Sequence, residues 1–211
     1  MLFRSASFAI TPGAAASLAF VQQPSDAVAG QSITPAVTVR AFDSFGNLAT
    51  GYTGSVIVSL ASGPSTTLNG TATRAAVAGV ATFGDLSVTL VGTYTLGATD
   101  GVRNAPASAS FTISHGIVTS LEFAQQPGNT VAGQVIAPAV TVRALDTFGN
   151  LATGYTSAVT VSRQNGPVTP LGGTLTRAAA ASSLGFNVTN AAADHLAFAQ
   201  QQIGRAACRE R

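Results

Sequence analysis

Two short loops hold the residues whose types and spacing could bind a cation. Asp43 and Asn47 lie four positions apart in DSFGN, and Asp146 and Asn150 have the same spacing in DTFGN. Their oxygens suit Ca²⁺, but a calcium shell needs about six to eight oxygen ligands, and each loop offers only one Asp and one Asn. An Asp also accepts a hydrogen bond from the backbone two residues on, and a Gly such as Gly46 supplies positive φ. We therefore expect turns here, and we predict no metal site and no cofactor.

A second pair of repeated residues could contact a ligand through an aromatic ring. Tyr52 and Tyr155 both follow Gly in the sequence GYT. An exposed aromatic ring could stack on a sugar. The interpretation that we favour is a corner tyrosine, whose hydroxyl bonds to nearby backbone.

The remaining titratable residues do not form a recurring catalytic group. His115 and His195 lie at predicted module junctions, where we expect solvated side chains, and neither belongs to a repeated triad or zinc pattern. Asp26, Asp85 and Asp100 have no carboxylate counterpart in the second repeat, so a carboxylate pair for hydrolysis is not predicted. We therefore predict no catalytic residue and do not expect an enzyme.

The elements around these residues come from a tandem repeat. Residues 35–53 recur 103 positions later as residues 138–156, with 17 of 19 positions identical. Repetition at this spacing indicates serial copies of one unit. Within one copy, apolar and polar residues alternate in short runs separated by Gly, Pro, Asn and Asp, which is typical of β-strands and turns. Strands are predicted over 17–22, 36–43, 53–60, 71–76, 80–83, 92–98 and 107–114.

This pattern predicts an all-β fold made of tandem immunoglobulin-like β-sandwich modules. The Cys–Trp–Cys signature of antibody domains is absent, because the chain has one Cys and no Trp. The expected core combines small aliphatic side chains with a few aromatic ones. Its aromatic members are predicted to be Phe20, Phe83, Tyr94 and Phe111, and the last strand is expected to turn Ala109, Phe111 and Ile113 inward.

The repeat register also predicts the domain layout. Residues 14–116 form module one, and residues 117–192 form module two. Residues 1–13 combine five residues of foreign composition with SASFAIT, which matches SASFTIS at 108–114 and so resembles the last strand of a preceding module. Residues 193–202 resemble the first strand of a third module, and residues 203–211 form a tail of different composition. We interpret residues 1–5 and 203–211 as translated sequencing-adapter DNA, which genomic DNA encoding both ends would contradict.

Module two is shorter than module one and is expected to be incomplete. Residues 186–189 match residues 111–114 at an offset of 75 rather than 103, so about 28 residues, the counterpart of 80–107, have no equivalent. We therefore expect module two to keep its final strand, lose the neighbours of that strand and expose side chains such as Val142 or Val159. An unpaired sheet edge of this kind invites strand exchange. Residues 6–11 and 195–201 are candidates to fill part of it.

Charge and hydropathy exclude several classes of partner. Charged residues make up 9% of the chain, and apart from the two ends the body holds six Arg against seven acids. That balance provides no basic stripe for nucleic acid. No apolar run approaches the roughly 18 residues of a membrane-spanning helix. The only cysteine, Cys208, lies in the tail, so the body contains no disulfide.

Four short motifs, each present twice, resemble a known class of repeat. They are L-x-F-x-Q-Q-P, V-A-G-Q, P-A-V-T-V and D-x-F-G-N, at 18–24, 28–31, 35–39 and 43–47, and again at 121–127, 131–134, 138–142 and 146–150. These motifs resemble the tandem bacterial immunoglobulin-like repeats of large secreted and surface proteins, of the invasin and intimin type. The resemblance implies β-sandwiches strung as an extracellular stalk, with neighbouring modules as partners and an adhesive or catalytic tip held away from the cell.

Three functions remain open from the sequence. The first is a structural spacer of a bacterial extracellular or cell-surface protein, with a contribution to adhesion. The second is a carbohydrate-binding accessory module of a secreted polysaccharide-degrading enzyme, which an aromatic content of 7% without Trp disfavours. The third is a fragment without function of its own, produced by collapsed assembly of nearly identical repeats.

Overall fold

The computed structural model describes residues 4, 6–131, 134–162, 164, 171, 175–179 and 186–188. Over these residues the fold is all-β, with thirteen strands and no helix. The described residues therefore provide no helix that could cross a membrane. The chain divides into two compact units, Met1–Ser114 and His115–Arg211, which contain module one and module two respectively.

Module one is a closed two-sheet sandwich, as the strand pattern predicts. One sheet has the order β1-β3-β6 and the other the order β2-β8-β7-β4-β5. Neighbouring strands are antiparallel except β2 and β8, which are parallel. Two facing sheets with these connections form the immunoglobulin-like arrangement. The strands are β1 Ser17–Gln22, β2 Ala27–Val28, β3 Val37–Phe42, β4 Ser55–Ser62, β5 Thr73–Ala75, β6 Val80–Phe83, β7 Gly92–Thr99 and β8 Phe111–Ser114.

Alternation along these strands builds the core of module one. In β3 the side chains of Val37, Val39 and Ala41 are buried, while the residues between them are half-exposed. Burying a Val, Leu or Phe side chain contributes about 1.5–3 kcal/mol. The four predicted core aromatics are confirmed. They are Phe20, Phe83, Tyr94 and Phe111.

The last strand of module one is shorter than predicted, and one inward residue was wrongly assigned. Ala109 is exposed, whereas Ser108 is buried. The hydroxyl of Ser108 accepts a hydrogen bond from the Leu96 amide at 2.8 Å and donates one to the Ala109 carbonyl at 2.8 Å. These bonds turn a polar side chain inward, and regular pairing begins only at Phe111.

The segment before module one does not form the predicted strand. Residues 6–11 have no strand assignment, and the side chains of Phe8 and Ile10 are 82% and 87% exposed. A strand is stable only within a sheet that supplies backbone partners and a buried face. Neither is present around residues 6–11 in the described part of the chain.

The described residues of module two form part of the same arrangement. Its described strands are β9 Val118–Gln125, β10 Val140–Asp146, β11 Ala158–Thr160, β12 Thr176–Ala178 and β13 Phe186–Val188. They form one sheet of order β13-β10-β9 and a two-stranded sheet of β11 and β12. Val142 and Val159 are buried in a common cluster with Ile136, Val140 and Ala179, so the expectation that they would be exposed is wrong.

Strand β13 lies where the sequence match does not predict it. Residues 186–188 match β8, yet they pair with β10, with Val188 opposite Val140 and Phe186 opposite Val142. In module one the counterparts of Val140 and Val142 face Phe83 and Ala81 of β6. Strand β13 therefore takes the place of β6, because a strand without its own neighbour pairs with the free edge of β10. The predicted third-module strand at 195–201 and the tail at 203–211 lie outside the described residues.

Candidate functional site

The DSFGN loop of module one is organised around a buried carboxylate. Asp43, which follows β3, is 4% exposed. Its Oδ1 accepts hydrogen bonds from the amides of Phe45 at 2.9 Å and Asn47 at 2.8 Å. Its Oδ2 accepts from Asn47 Nδ2 at 3.1 Å and from the amide of Gly13 at 2.9 Å. Positive φ at Gly46 closes the turn.

The DTFGN loop of module two repeats this geometry. Asp146 is 2% exposed. Its Oδ1 accepts from the amides of Phe148 at 2.8 Å and Asn150 at 2.9 Å, and its Oδ2 accepts from Asn150 Nδ2 at 2.9 Å. The amide of Gly116 donates to Oδ2 at 2.9 Å. We call each Asp–Gly pair, Asp43 with Gly13 and Asp146 with Gly116, a linker clamp, because the glycine lies in the segment leading into the module.

The hydrogen bonds also set the protonation of both carboxylates. The amide of Gly13, followed by the donors of Asn47 and Phe45, lowers the pKa of Asp43 from 3.8 to about 2 despite the opposing effect of burial. Burial raises the pKa of Asp146, but the donors of Asn150, Gly116 and Phe148 outweigh burial and the pKa is lowered. Both groups are therefore ionised acceptors near neutral pH.

The turn interpretation of these loops is confirmed by the same contacts. A carboxylate offers about four lone-pair sites, and four N–H donors converge on each of Asp43 and Asp146. The donors occupy the positions that a cation would need. In the part of the chain that the structure describes, no three His, Cys, Asp or Glu residues group to hold a metal ion.

Tyr52 uses its hydroxyl differently from the predicted corner tyrosine. The ring is half-buried, and the hydroxyl donates to Oδ2 of Asp100 at 2.9 Å rather than to backbone. Arg103 pairs with the same carboxylate oxygen at 2.6 Å, and its guanidinium carbon lies 5.9 Å from the Tyr52 ring centre. The tyrosine that does bond to backbone is Tyr94, whose hydroxyl donates to the Leu90 carbonyl at 2.9 Å.

The sequence alone did not indicate the Tyr52–Asp100–Arg103 group. Burial raises the pKa of Asp100, but hydrogen bonds from the Arg103 and Val102 amides and from the Tyr52 hydroxyl outweigh burial, so the pKa is lowered. Burial, together with the Asp100 carboxylate, raises the pKa of Tyr52. The Asp100-Gly101 turn was the one sequence feature that could have indicated this group. The carboxylate of an Asp at such a turn can accept hydrogen bonds from outside its own loop. Tyr155 is half-buried against the module two core.

Asp26 and Asp85 each bond to different groups of module one. Asp26 accepts from the Thr112 amide at 2.6 Å. Asp85 accepts from the Thr71 hydroxyl at 2.6 Å and forms an ion pair with Arg74 at 3.3 Å. The Thr71 hydroxyl, its amide and Arg74 lower the pKa of Asp85.

Of the two histidines predicted at module junctions, His115 contacts the backbone of the next residue. Nδ1 of His115 lies 2.8 Å from the carbonyl oxygen of the next residue, Gly116. His115 therefore contacts the backbone of the linker clamp. His195 lies outside the described residues.

Comparison with known proteins gives weak structural similarities. No family model matches the sequence, and no match is found among curated proteins. The chain is similar to FdeC, an Escherichia coli adhesin, with 17% identity over 88% of this chain and 67% of that chain, at a TM-score of 0.44. It is also similar to domains 4–9 of the surface layer protein SbsC, with 13% identity over 84% of this chain and 27% of that chain, at a TM-score of 0.34. Similarity to SbsC domains 5–6 covers 84% of both chains, at 14% identity and a TM-score of 0.28. The fold class therefore rests on the strand order and the core described above.

Proposed function

We propose that this chain is a structural spacer within a bacterial extracellular or cell-surface protein. Its immunoglobulin-like modules would act in series, with further modules of the same kind as partners. Serial modules contact mainly their neighbours, so the length of such an array grows with the number of repeats. The observation that supports this role is the linker clamp, which occurs at the start of both modules.

The clamp shortens the free part of the junction. Ser114 is the last residue of β8, and Gly116 is held by Asp146 of module two. Only His115 lies between them, and two residue steps span at most about 7 Å. Flexible linkers adopt many end-to-end distances, whereas a tether of one residue allows few. A spacer requires such a restricted junction.

The contacts of the polar groups favour spacing over catalysis or sugar binding. The carboxylates of Asp43, Asp146 and Asp100 all accept hydrogen bonds within their own modules. The half-buried ring of Tyr52 is engaged by Asp100 and Arg103 and does not form an open stacking platform. Tight, specific binding of the intact chain to a glycan array would instead support the carbohydrate-binding alternative.

Backbone ¹⁵N relaxation of the full chain tests the proposal at the Gly116 amide. We expect an order parameter near 0.85, the value of rigid backbone, in the wild type. The variant Asp146→Ala should lower this value toward about 0.6 while the β10 resonances stay folded. As a control, Asp85→Ala removes a half-exposed carboxylate that bonds to Thr71 and Arg74 within module one, and it should leave Gly116 unchanged.

Module one provides an independent version of the same experiment. If Asp146→Ala unfolds module two, Asp43→Ala tests the equivalent clamp through the Gly13 amide, because the twenty buried residues of the module one core still support the fold when this carboxylate is removed. An order parameter below about 0.6 at both Gly13 and Gly116 in the wild type would contradict the proposal.

A further inference from the structure

Three turns at one end of module one carry large apolar side chains at their tips. Phe45 lies in the turn after β3, Val77 at the start of the turn before β6, and Val102 in the turn after β7. These side chains are 86%, 77% and 83% exposed, whereas Val21 and Ile57, the next most exposed within residues 14–114, are 44% exposed. Turns usually hold Gly, Pro, Asn, Asp or Ser. We call the three apolar side chains the entry surface.

The segment that connects β3 to β4 brings these three turns together. The Gly79 amide of the second turn donates to the Tyr52 carbonyl at 3.0 Å, and the Tyr52 hydroxyl donates to Asp100 of the third turn at 2.9 Å. Asp43 organises the first turn and also accepts the bond from Gly13. The chain therefore enters module one at the end that carries the entry surface. Apolar side chains grouped at one exposed end mark an interaction site.

The repeat register places the end of a preceding module close to the entry surface. The segment SASFAIT matches SASFTIS around β8, so Thr11 corresponds to Ser114, the last residue of that strand. Only Pro12 separates Thr11 from the clamped Gly13, and two residue steps span at most about 7 Å. A module that finishes with this segment would therefore lie next to the turns around Gly13.

The exit end of module one indicates what such a preceding module would present. Ser114 pairs with Val28, which is 41% exposed. Leu90, which is 37% exposed, lies two residues before Gly92, the partner of Ile113. Apolar side chains therefore lie beside the end of the last strand. A short tether gives an effective concentration of the order of mM, so even a weak apolar contact forms between tethered surfaces.

We infer that the entry surface is a docking site for the exit end of a preceding module of the same repeat. The two surfaces differ, so the contact is heterologous and can recur from one module to the next. Phe45 recurs as Phe148 at the same turn position of module two, which supports a surface that belongs to the repeat. This inference rests on the spacer role and adds to it the contact that would restrain bending between modules.

Solvent paramagnetic relaxation of methyl groups tests the inference. The full chain is compared with a longer chain in which a further copy of residues 14–107 stands directly before Ser5, with isotope label confined to residues 5–211. A soluble gadolinium chelate should relax the Val77 and Val102 methyls strongly in the full chain, and most of this enhancement should be lost in the longer chain. The Val21 methyls, toward the other end of β1, should relax equally in both chains.

Two variants of the labelled module in the longer chain test whether the contact depends on the entry surface. Phe45→Ser removes one member of the surface and should restore the relaxation of the Val77 methyls. The matched control Val21→Ser also removes an exposed apolar side chain, but it should leave the Val77 methyls protected. Unchanged shifts of the β3 amides would show that both variants are folded, and the comparison of the two wild-type chains decides the inference if they are not.

Equal relaxation of Val77 and Val102 in the two wild-type chains would overturn the inference. So would protection that arises in the full chain as its concentration increases, because a second copy would then cover the surface. The Gly13 amide separates this outcome from failure of the spacer role. A rigid Gly13 beside exposed methyls refutes docking alone, whereas mobile Gly13 and Gly116 amides contradict the spacer role as well.

Discussion

The Tyr52 hydroxyl donates to the Asp100 carboxylate across 48 residues of sequence, whereas its repeat counterpart Tyr155 has no aspartate equivalent to Asp100. We expect Tyr52→Phe to lower the free energy of unfolding of module one by about 1–2 kcal/mol, since a hydrogen bond to a charged group is lost. Tyr155→Phe should change module two by less than about 0.5 kcal/mol. Urea denaturation followed by NMR signals of each module measures both values, and equal effects would contradict the assignment.

The stability of module one should fall at strongly acidic pH because of Asp43. Its pKa is about 2 when folded and 3.8 in the reference state. A carboxylate with a lowered folded pKa stabilises the fold above its unfolded pKa and loses this contribution as the pH falls. We therefore expect the Asp43 contribution to hold down to a pH near 4 and to disappear between pH 3.8 and about 2. Urea denaturation of the wild type and Asp43→Asn across this range tests it: their stability difference should shrink with falling pH, and a constant difference would exclude Asp43 as the cause.

Two glycines with positive φ should respond differently to substitution. Gly70 has a φ of 98°, and an added Cβ would collide with the backbone carbonyl of Asp85. Gly46 has a φ of 84° with open space around it. Gly46→Ala should cost about 1–2 kcal/mol of unfolding free energy, from backbone strain alone. Gly70→Ala should cost more, about 2–5 kcal/mol, because steric overlap adds to the strain. Chemical denaturation compares the two, and equal losses would rule out the overlap with Asp85.

The two modules should differ in protection although their central strands are nearly identical in sequence. Val37–Phe42 of β3 lies above a core completed by β7 and β8, whereas the described residues packed on Val140–Asp146 of β10 form a smaller cluster. Amides of β10 should therefore exchange at least about tenfold faster than those of β3, a difference of about 1.4 kcal/mol in opening free energy. Native-state hydrogen exchange on a monomeric sample measures this, and matching rates would indicate that module two completes its core by other means.

Local pattern was sufficient to predict most of module one. Alternating apolar residues gave the bounds of β1 and β6 correctly, because each of these strands has one buried and one solvated face. The four core aromatics followed from the same alternation. The turn at Asp43 was predictable as well, since Asp, Gly and Asn at these spacings favour turn geometry whatever surrounds them.

Contacts between distant segments were not predictable from pattern. The pairing of Gly13 with Asp43 and of Tyr52 with Asp100 depends on which loops the sandwich brings to one end. Ser108 turned inward because the Leu96 amide is a donor there, which periodicity does not record. Residues 6–11 have the pattern of a strand without a sheet, and β13 has the pattern of β8 but the partner of β6. In both segments, the strand available for backbone pairing determined whether and where the segment joined a sheet.

The parallel pairing of β2 with β8 determines how module one responds to a pulling force. The chain enters module one at the end near Gly13 and leaves it at Ser114 at the other end. Tension on the two ends first loads β1, which is paired with β3, and once β1 detaches it draws the parallel strands Ala27–Val28 and Ile113–Ser114 past each other along their length. The bond from the Ala29 amide to the Ser114 carbonyl, at 2.8 Å, and that from the Thr112 amide to Asp26, at 2.6 Å, lie across this direction. We therefore expect these two bonds to share the load and break together in shear, which would make module one harder to extend than a sheet edge whose hydrogen bonds open one after another.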